Sequence, residues 1–151
     1  MELTVPRHEE SIDIRRPLDE VYAYMSDISR EREWQPQLIE AEQTPAGPTR
    51  VGSRRRYVSE FMGKRLENTY VVNEVEEGRR LVCETTSDSA VSARSEIRWQ
   101  ETADGTRVTM SIEGKAGGLL RFLPTALVEA AFRSELETAL GRLKDRLEKS
   151  G

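Results

Sequence analysis

Apolar residues recur along this chain with two different periods, and the switch between them marks out its elements. Residues 11–15 (Ser-Ile-Asp-Ile-Arg) alternate, which places Ile12 and Ile14 on one face of a half-buried strand. Pro17 suits the first turn of a helix, where its missing N–H costs nothing, and Asp19 and Glu20 favour the positive helix start. Leu18, Val21, Tyr22, Met25 and Ile28 follow at helical spacing. Ser29 is placed to cap a second short helix that reaches Trp34 and stops before Pro36.

The middle of the chain reads as strands over 51–62, 64–75, 80–86, 91–101 and 106–113, separated by Gly63, Glu77-Gly78, Ser87-Asp88-Ser89 and the tight-turn pair Asp104-Gly105. Loops this short join antiparallel neighbours, since parallel crossovers need a dozen residues or more. Past Gly117-Gly118 the period becomes helical, with Leu123, Leu127, Ala131, Leu136, Leu140, Leu143 and Leu147 on one stripe. A helix over 125–149 is about 37 Å long, enough to cross a sheet. The order is a strand, two short helices, a meander of about six strands and one long helix, an α+β layout. An antiparallel sheet with one apolar face needs a cover, and only the last helix is large enough to supply it.

Composition narrows what such a fold does. The chain has 151 residues, 36% of them hydrophobic and 33% charged, with net charge −4, 1 Cys and 1 His. That length fits one domain, 1–151. One cysteine and one histidine exclude a disulfide framework and a zinc site built on them, so no metal or cofactor is expected. The acidic balance disfavours nucleic acid as a partner. No run is long and apolar enough to span a bilayer, and the acidic start lacks the apolar run of a secretory signal, so a cytoplasmic location is expected.

The order of elements comes with local patterns that resemble a known superfamily. They are Ser11-Ile12-Asp13-Ile14 with Pro17 and Val21, then Asp27, Glu33-Trp34 and Pro36. Further on come Val51-Gly52-Ser53, Met62-Gly63-Lys64-Arg65, Glu74-Val75 with Gly78-Arg79-Arg80-Leu81, and Asp104-Gly105-Thr106-Arg107-Val108. From about Ser11 to Glu148 the chain resembles the START-like, birch-pollen-allergen-like superfamily (SRPBCC), and within it the bacterial polyketide cyclase/dehydratase group. The resemblance implies a helix-grip fold, a curved antiparallel sheet of about seven strands around the C-terminal helix, enclosing a cavity for an apolar small molecule. It also implies an aromatic near the cavity mouth, where Trp34 falls; anchoring the second short helix is the other reading of Trp34.

Strand parity supplies the inward set. Tyr57 and Phe61 carry Ser53, Arg55 and Ser59 with them; Leu66, Tyr70 and Val72 carry Asn68; Leu81 carries Cys83 and Thr85. Ile97 and Trp99 carry Val91, Ala93 and Ser95, while Val108 goes with Met110 and Ile112. A bulge in the run 71–75 would shift this register by one. The expected ligand-binding residues are Trp34, Arg55, Tyr57, Ser59, Asn68, Tyr70, Cys83, Ser95, Trp99, Met110 and, from the helix, Leu127. Many are small or polar, and an apolar wall with a few convergent polar groups is what a small-molecule site looks like. Arg55 also reads as a solvent-exposed edge residue paired with a carboxylate. Cys83 has no His on its strand and reads as a small core residue more than a nucleophile. His8 shares the parity of Ile12 and Ile14 but lies near a chain end, where solvation is the default.

Two functions follow from this reading. One is the binding of a lipid, polyketide or isoprenoid-like molecule by a monomer or homodimer. The other is a cyclase or dehydratase in which Arg55, Tyr57 or Tyr70 polarises a carbonyl. An interaction module is a third class with no specific feature behind it.

Overall fold

Burial alternates upstream of Ile12 as far as Arg7 although those residues are polar, so the first strand is longer than those five residues indicate. In the computed structural model, which describes residues 4–61, 63–115 and 124–149, it is β1 (Thr4–Ile14). There follow α1 (Leu18–Ser26), a 3₁₀ turn (Ile28–Arg30), α2 (Glu31–Trp34), β2 (Leu38–Thr44), β3 (Arg54–Phe61), β4 (Lys64–Glu76), β5 (Arg80–Thr85), β6 (Ser92–Thr102), β7 (Gly105–Lys115) and α3 (Thr125–Lys149). Pro17 stands at the N-cap of α1. Asp27, not Ser29, caps the 3₁₀ turn, its carboxylate accepting from the Ser29 amide at 3.0 Å. No helix is long and apolar enough to cross a membrane among the described residues. Met62 and Leu123, which spacing assigns to a strand and to the helix, lie outside them.

Seven strands form one antiparallel sheet in the order β1-β7-β6-β5-β4-β3-β2. β2 to β7 are a continuous meander, and β1 closes against the last of them. The alternation missed β2 because Leu38-Ile39-Glu40-Ala41 breaks period two, and a register shift between Leu38 and Glu40 is the structural counterpart. The shift expected in 71–75 falls between Val72 and Glu74, so Val72 faces Cys83 and Val75 faces Leu81. Gly105 lies so close to the β1–α1 connection that a Cβ there would stand 2.1 Å from the Ile14 carbonyl oxygen.

One end of the space under the sheet is solidly filled. Ile14, Val21, Met25, Trp99 and Val108 pack there with Leu140, Leu143 and Leu147 of α3. The Trp99 indole meets Tyr22 edge-on at 4.8 Å and donates to the Met25 sulfur at 3.2 Å. The sheet's outer face carries much of the charge, with Arg80 on Glu96 at 2.7 Å, Arg98 on Glu9 at 2.6 Å and Arg107 on Asp13 at 2.8 Å. The last two join half-exposed groups and each contribute little, whereas Glu96 is itself buried.

The fully buried Thr106 donates its hydroxyl to the Arg16 carbonyl at 2.9 Å and so ties β7 to the start of α1. Thr106→Val keeps the shape and leaves that carbonyl without its donor. A loss of about 1–2 kcal/mol is expected in urea denaturation, and an unchanged midpoint would mean that water replaces the hydroxyl at no cost.

Candidate functional site

The other end of the interior is hollow. Between the inner sheet face and the first half of α3 lies a cavity of about 190 Å³. Strand alternation delivers its walls: Arg55, Tyr57 and Ser59 from β3, Leu66, Asn68 and Tyr70 from β4, Leu81 and Cys83 from β5, Ser95 and Ile97 from β6, Met110 and Ile112 from β7. Phe132, Glu135, Leu136 and Ala139 of α3 face them, and Glu31 and Trp34 of α2 close one side. The void exists because Ser59, Cys83, Ser95 and Ala139 are too short to reach across it. Nine of the eleven residues singled out by parity and resemblance line this space.

The other two do not. Trp99 faces inward as parity requires, but α1 occupies that end, and its indole is packed between Tyr22 and Met25. Parity gives the face of a strand and not the position along it. Leu127 is 47% exposed and points to solvent. The buried stripe of α3 runs Val128, Phe132, Leu136, Ala139, Leu140, Leu143 and Leu147. At about 100° per residue, the nine positions from Leu127 to Leu136 bring the two to opposite sides of the helix. His8 is held in β1 opposite Ile112, half-buried and not among the cavity residues. Phe61 is placed in β3 by its backbone, while its side chain lies outside what is described.

Arg55 is not a solvated edge residue, because β2 covers β3 and leaves Arg55 3% exposed. Its guanidinium meets Glu31 of α2, itself 2% exposed, at 3.3 Å. Arg55 also donates to Gln43 at 3.0 Å and Thr49 at 2.8 Å, and reaches the Tyr57 hydroxyl at 3.5 Å. Glu31 accepts further from Tyr57 at 3.0 Å and Gln35 at 2.6 Å. Burial pushes the Glu31 carboxyl above the usual carboxylate range, against the pull of Arg55, Tyr57 and Gln35. The network is internally satisfied, so its members build the wall more than they offer free groups to a ligand. Asn68 is likewise engaged, accepting from the Val91 amide at 2.9 Å.

Three groups on the wall behave differently. Burial raises the Tyr70 hydroxyl well above its ordinary value, keeping it a neutral phenol, and its ring meets Tyr57 edge-on at 5.7 Å. The Cys83 thiol is pushed up to about 11 by burial, so it stays protonated and is no nucleophile at neutral pH. Glu135 is pushed up to about 7 by burial. No group of three His, Cys, Asp or Glu side chains converges as a metal site among the described residues.

Neither Glu31 nor Glu135 stands out in the amino-acid order, for different reasons. Nothing in Ser-Arg-Glu-Arg-Glu-Trp distinguishes Glu31 from Glu33; only its partner, 24 residues on, does. Glu135 carried a signal. It lies seven residues from Val128 and four from Ala139, on the buried stripe, and phasing that stripe on Leu127 hid it.

Residues 6–148 match the sequence model of the family described as polyketide cyclase / dehydrase and lipid transport. No curated protein matches the chain. Among solved structures, a Thermus thermophilus protein is similar at TM-score 0.80 and 17% identity, covering 97% of this chain and 99% of that one. A START superfamily protein from Mycobacterium smegmatis is similar at TM-score 0.78 and 12% identity, over 96% and 99%. A Mesorhizobium loti protein follows at TM-score 0.71 and 18% identity, over 97% and 99%. At these identities the likeness is one of fold, the START-like helix grip.

Proposed function

Because the chain belongs to the polyketide cyclase / dehydrase and lipid transport family, we propose that its cavity binds an apolar small molecule between the sheet and the C-terminal helix. The observation that carries this reading is a cavity in an otherwise well-packed interior, walled by Leu66, Leu81, Ile97, Met110 and Phe132 with a few polar groups among them. Size narrows the ligand. An apolar cavity of roughly 150 Å³ accepts benzene, so about 190 Å³ suits a molecule of one or two rings or a short isoprenoid. A diacyl lipid is too large for it.

A polyketide cyclase-type reaction in the same cavity is the second reading, and Glu135 favours it, since a carboxyl at about 7 is suited to take and return protons. In that reading Arg55 positions the wall and does not polarise substrate, because its N–H groups already face Glu31, Gln43, Thr49 and Tyr57.

Filling the cavity tests the binding reading. Ser95 is part of its sheet wall, on β6 between Cys83 and Ile112, and Ser95→Leu occupies the void from within. Toluene titrated into the purified chain and followed by NMR is expected to bind the wild type and to lose at least about tenfold in affinity in the variant. Toluene binding that is unaffected by Ser95→Leu would place the bound molecule elsewhere.

A further inference from the structure

Glu135 stands apart from the other charged groups of the cavity wall. Three and four residues away along α3 are Phe132, Ala131, Thr138 and Ala139, none of them charged. Burial is the sole influence on its carboxyl, with no hydrogen bond and no charge partner among the described residues. The titratable and charged groups facing the same space are Tyr70 of β4, Cys83 of β5, Arg55 and Tyr57 of β3 and Glu31 of α2, and Glu96 of β6 borders it with its side chain turned to the outer face. Arg55 and Glu31 neutralise each other at 3.3 Å, and Arg80 holds Glu96 from the outer face at 2.7 Å. Tyr57 donates to Glu31. Cys83 and Tyr70 stay neutral. Among the described residues, one uncompensated negative charge therefore remains, that of Glu135, and the Tyr70 hydroxyl across the cavity feels it.

We propose that Glu135 is the polar anchor of the cavity and that the ligand is a small apolar amine, one or two rings with a single protonated nitrogen, paired with the Glu135 carboxylate and facing the Tyr70 hydroxyl across the cavity. This rests on the cavity being a binding site. An ammonium group supplies what the carboxylate lacks, a charge-assisted hydrogen bond at a partly buried position on a largely apolar wall. A neutral alcohol supplies a weaker bond. Above pH 7 a carboxylate ligand meets a like charge, with Arg55 already engaged, so free fatty acids and other organic acids bind more weakly there than the amine.

Three probes of one shape separate these cases: phenethylamine, phenethyl alcohol and phenylacetate, titrated calorimetrically into the purified full chain. At about pH 8 the amine is expected to bind about tenfold or more tighter than the alcohol, with phenylacetate weakest. Lowering the pH to about 6 protonates Glu135 and weakens the amine about tenfold while leaving the alcohol unchanged. Glu135→Gln preserves shape, which circular dichroism checks. It retains alcohol binding and loses both the amine preference and its pH dependence. An alcohol bound as tightly as the amine, or an amine preference that survives Glu135→Gln, overturns the anchor and leaves the cavity reading intact. If toluene and all three probes fail to bind the wild type, the cavity reading falls and the anchor with it.

Discussion

Replacing Arg55 with methionine destabilises the protein by about 3–5 kcal/mol. The stem of the side chain is kept and the charge removed, so the buried Glu31 carboxylate, 2% exposed, loses its counter-charge at 3.3 Å. Tyr57 and Gln35 still donate to it, but two neutral donors do not replace a guanidinium in a dry wall. The single Glu31→Gln change leaves Arg55 buried and unpaired and is expected to cost a similar amount. In the double variant Glu31→Gln/Arg55→Met both charges go, the Tyr57 and Gln35 contacts have a partner in the new amide, and most of the loss is recovered. Burial already raises the Glu31 carboxyl, and without Arg55 it rises further. The Arg55→Met deficit therefore shrinks as the pH falls and Glu31 takes up a proton. Urea denaturation of the four chains of this cycle at two pH values measures it. Single variants within about 1 kcal/mol of the wild type would mean that water or a backbone shift compensates the lost partner.

Glu135→Gln works in the opposite direction and stabilises the protein at pH 8 by about 2–3 kcal/mol. The wild-type carboxyl titrates at about 7 in the folded chain against 4.5 when solvated, and each pH unit of that difference is worth about 1.4 kcal/mol. The group is partly open to the cavity, which trims the total. Because the folded value is the higher one, the folded state holds the extra proton between these two values. Wild-type stability is thus undiminished below about 4.5, falls as the pH rises through 7, and carries the whole penalty above it. The glutamine variant lacks that slope. Its melting temperature is expected to exceed the wild type's by roughly 5–10 °C at pH 8 and to match it at pH 4. An equal difference at both pH values would trace the gain to packing and not to charge. A residue that lowers stability in this way breaks the local rules of the helix it sits on, and functional sites are where such breaches are expected.

How far the molecule can be read from its residues differs from element to element. Period-two alternation placed Tyr57, Asn68, Tyr70, Cys83, Ser95 and Met110 on one face, because a side chain in a strand has only two directions. The run Val71-Val72-Asn73-Glu74-Val75 announced its bulge, since three inward-seeking valines cannot share one parity. The helical span was legible to the residue, at Thr125–Lys149. Its rotation was not: phasing on Leu127 turned the stripe away from Val128 and hid Glu135. β2 escaped altogether, an edge strand whose residues are at most half-buried and so carry little hydrophobic pattern.

By itself, then, the amino-acid order determined the elements other than β2, the antiparallel meander, the inward face of the strands it placed and the family resemblance, all of which rest on local periodicity and short loops. Tertiary structure alone decided which inward residues fill and which line a void. α1 packs Trp99 into the solid end, while the short side chains of Ser59, Cys83, Ser95 and Ala139 leave the other end open. It also decided that Arg55 is buried with Glu31 and that Glu135 has no partner among the described residues. Pairing and its absence are relations between residues far apart in the chain, and no periodicity within one segment encodes them.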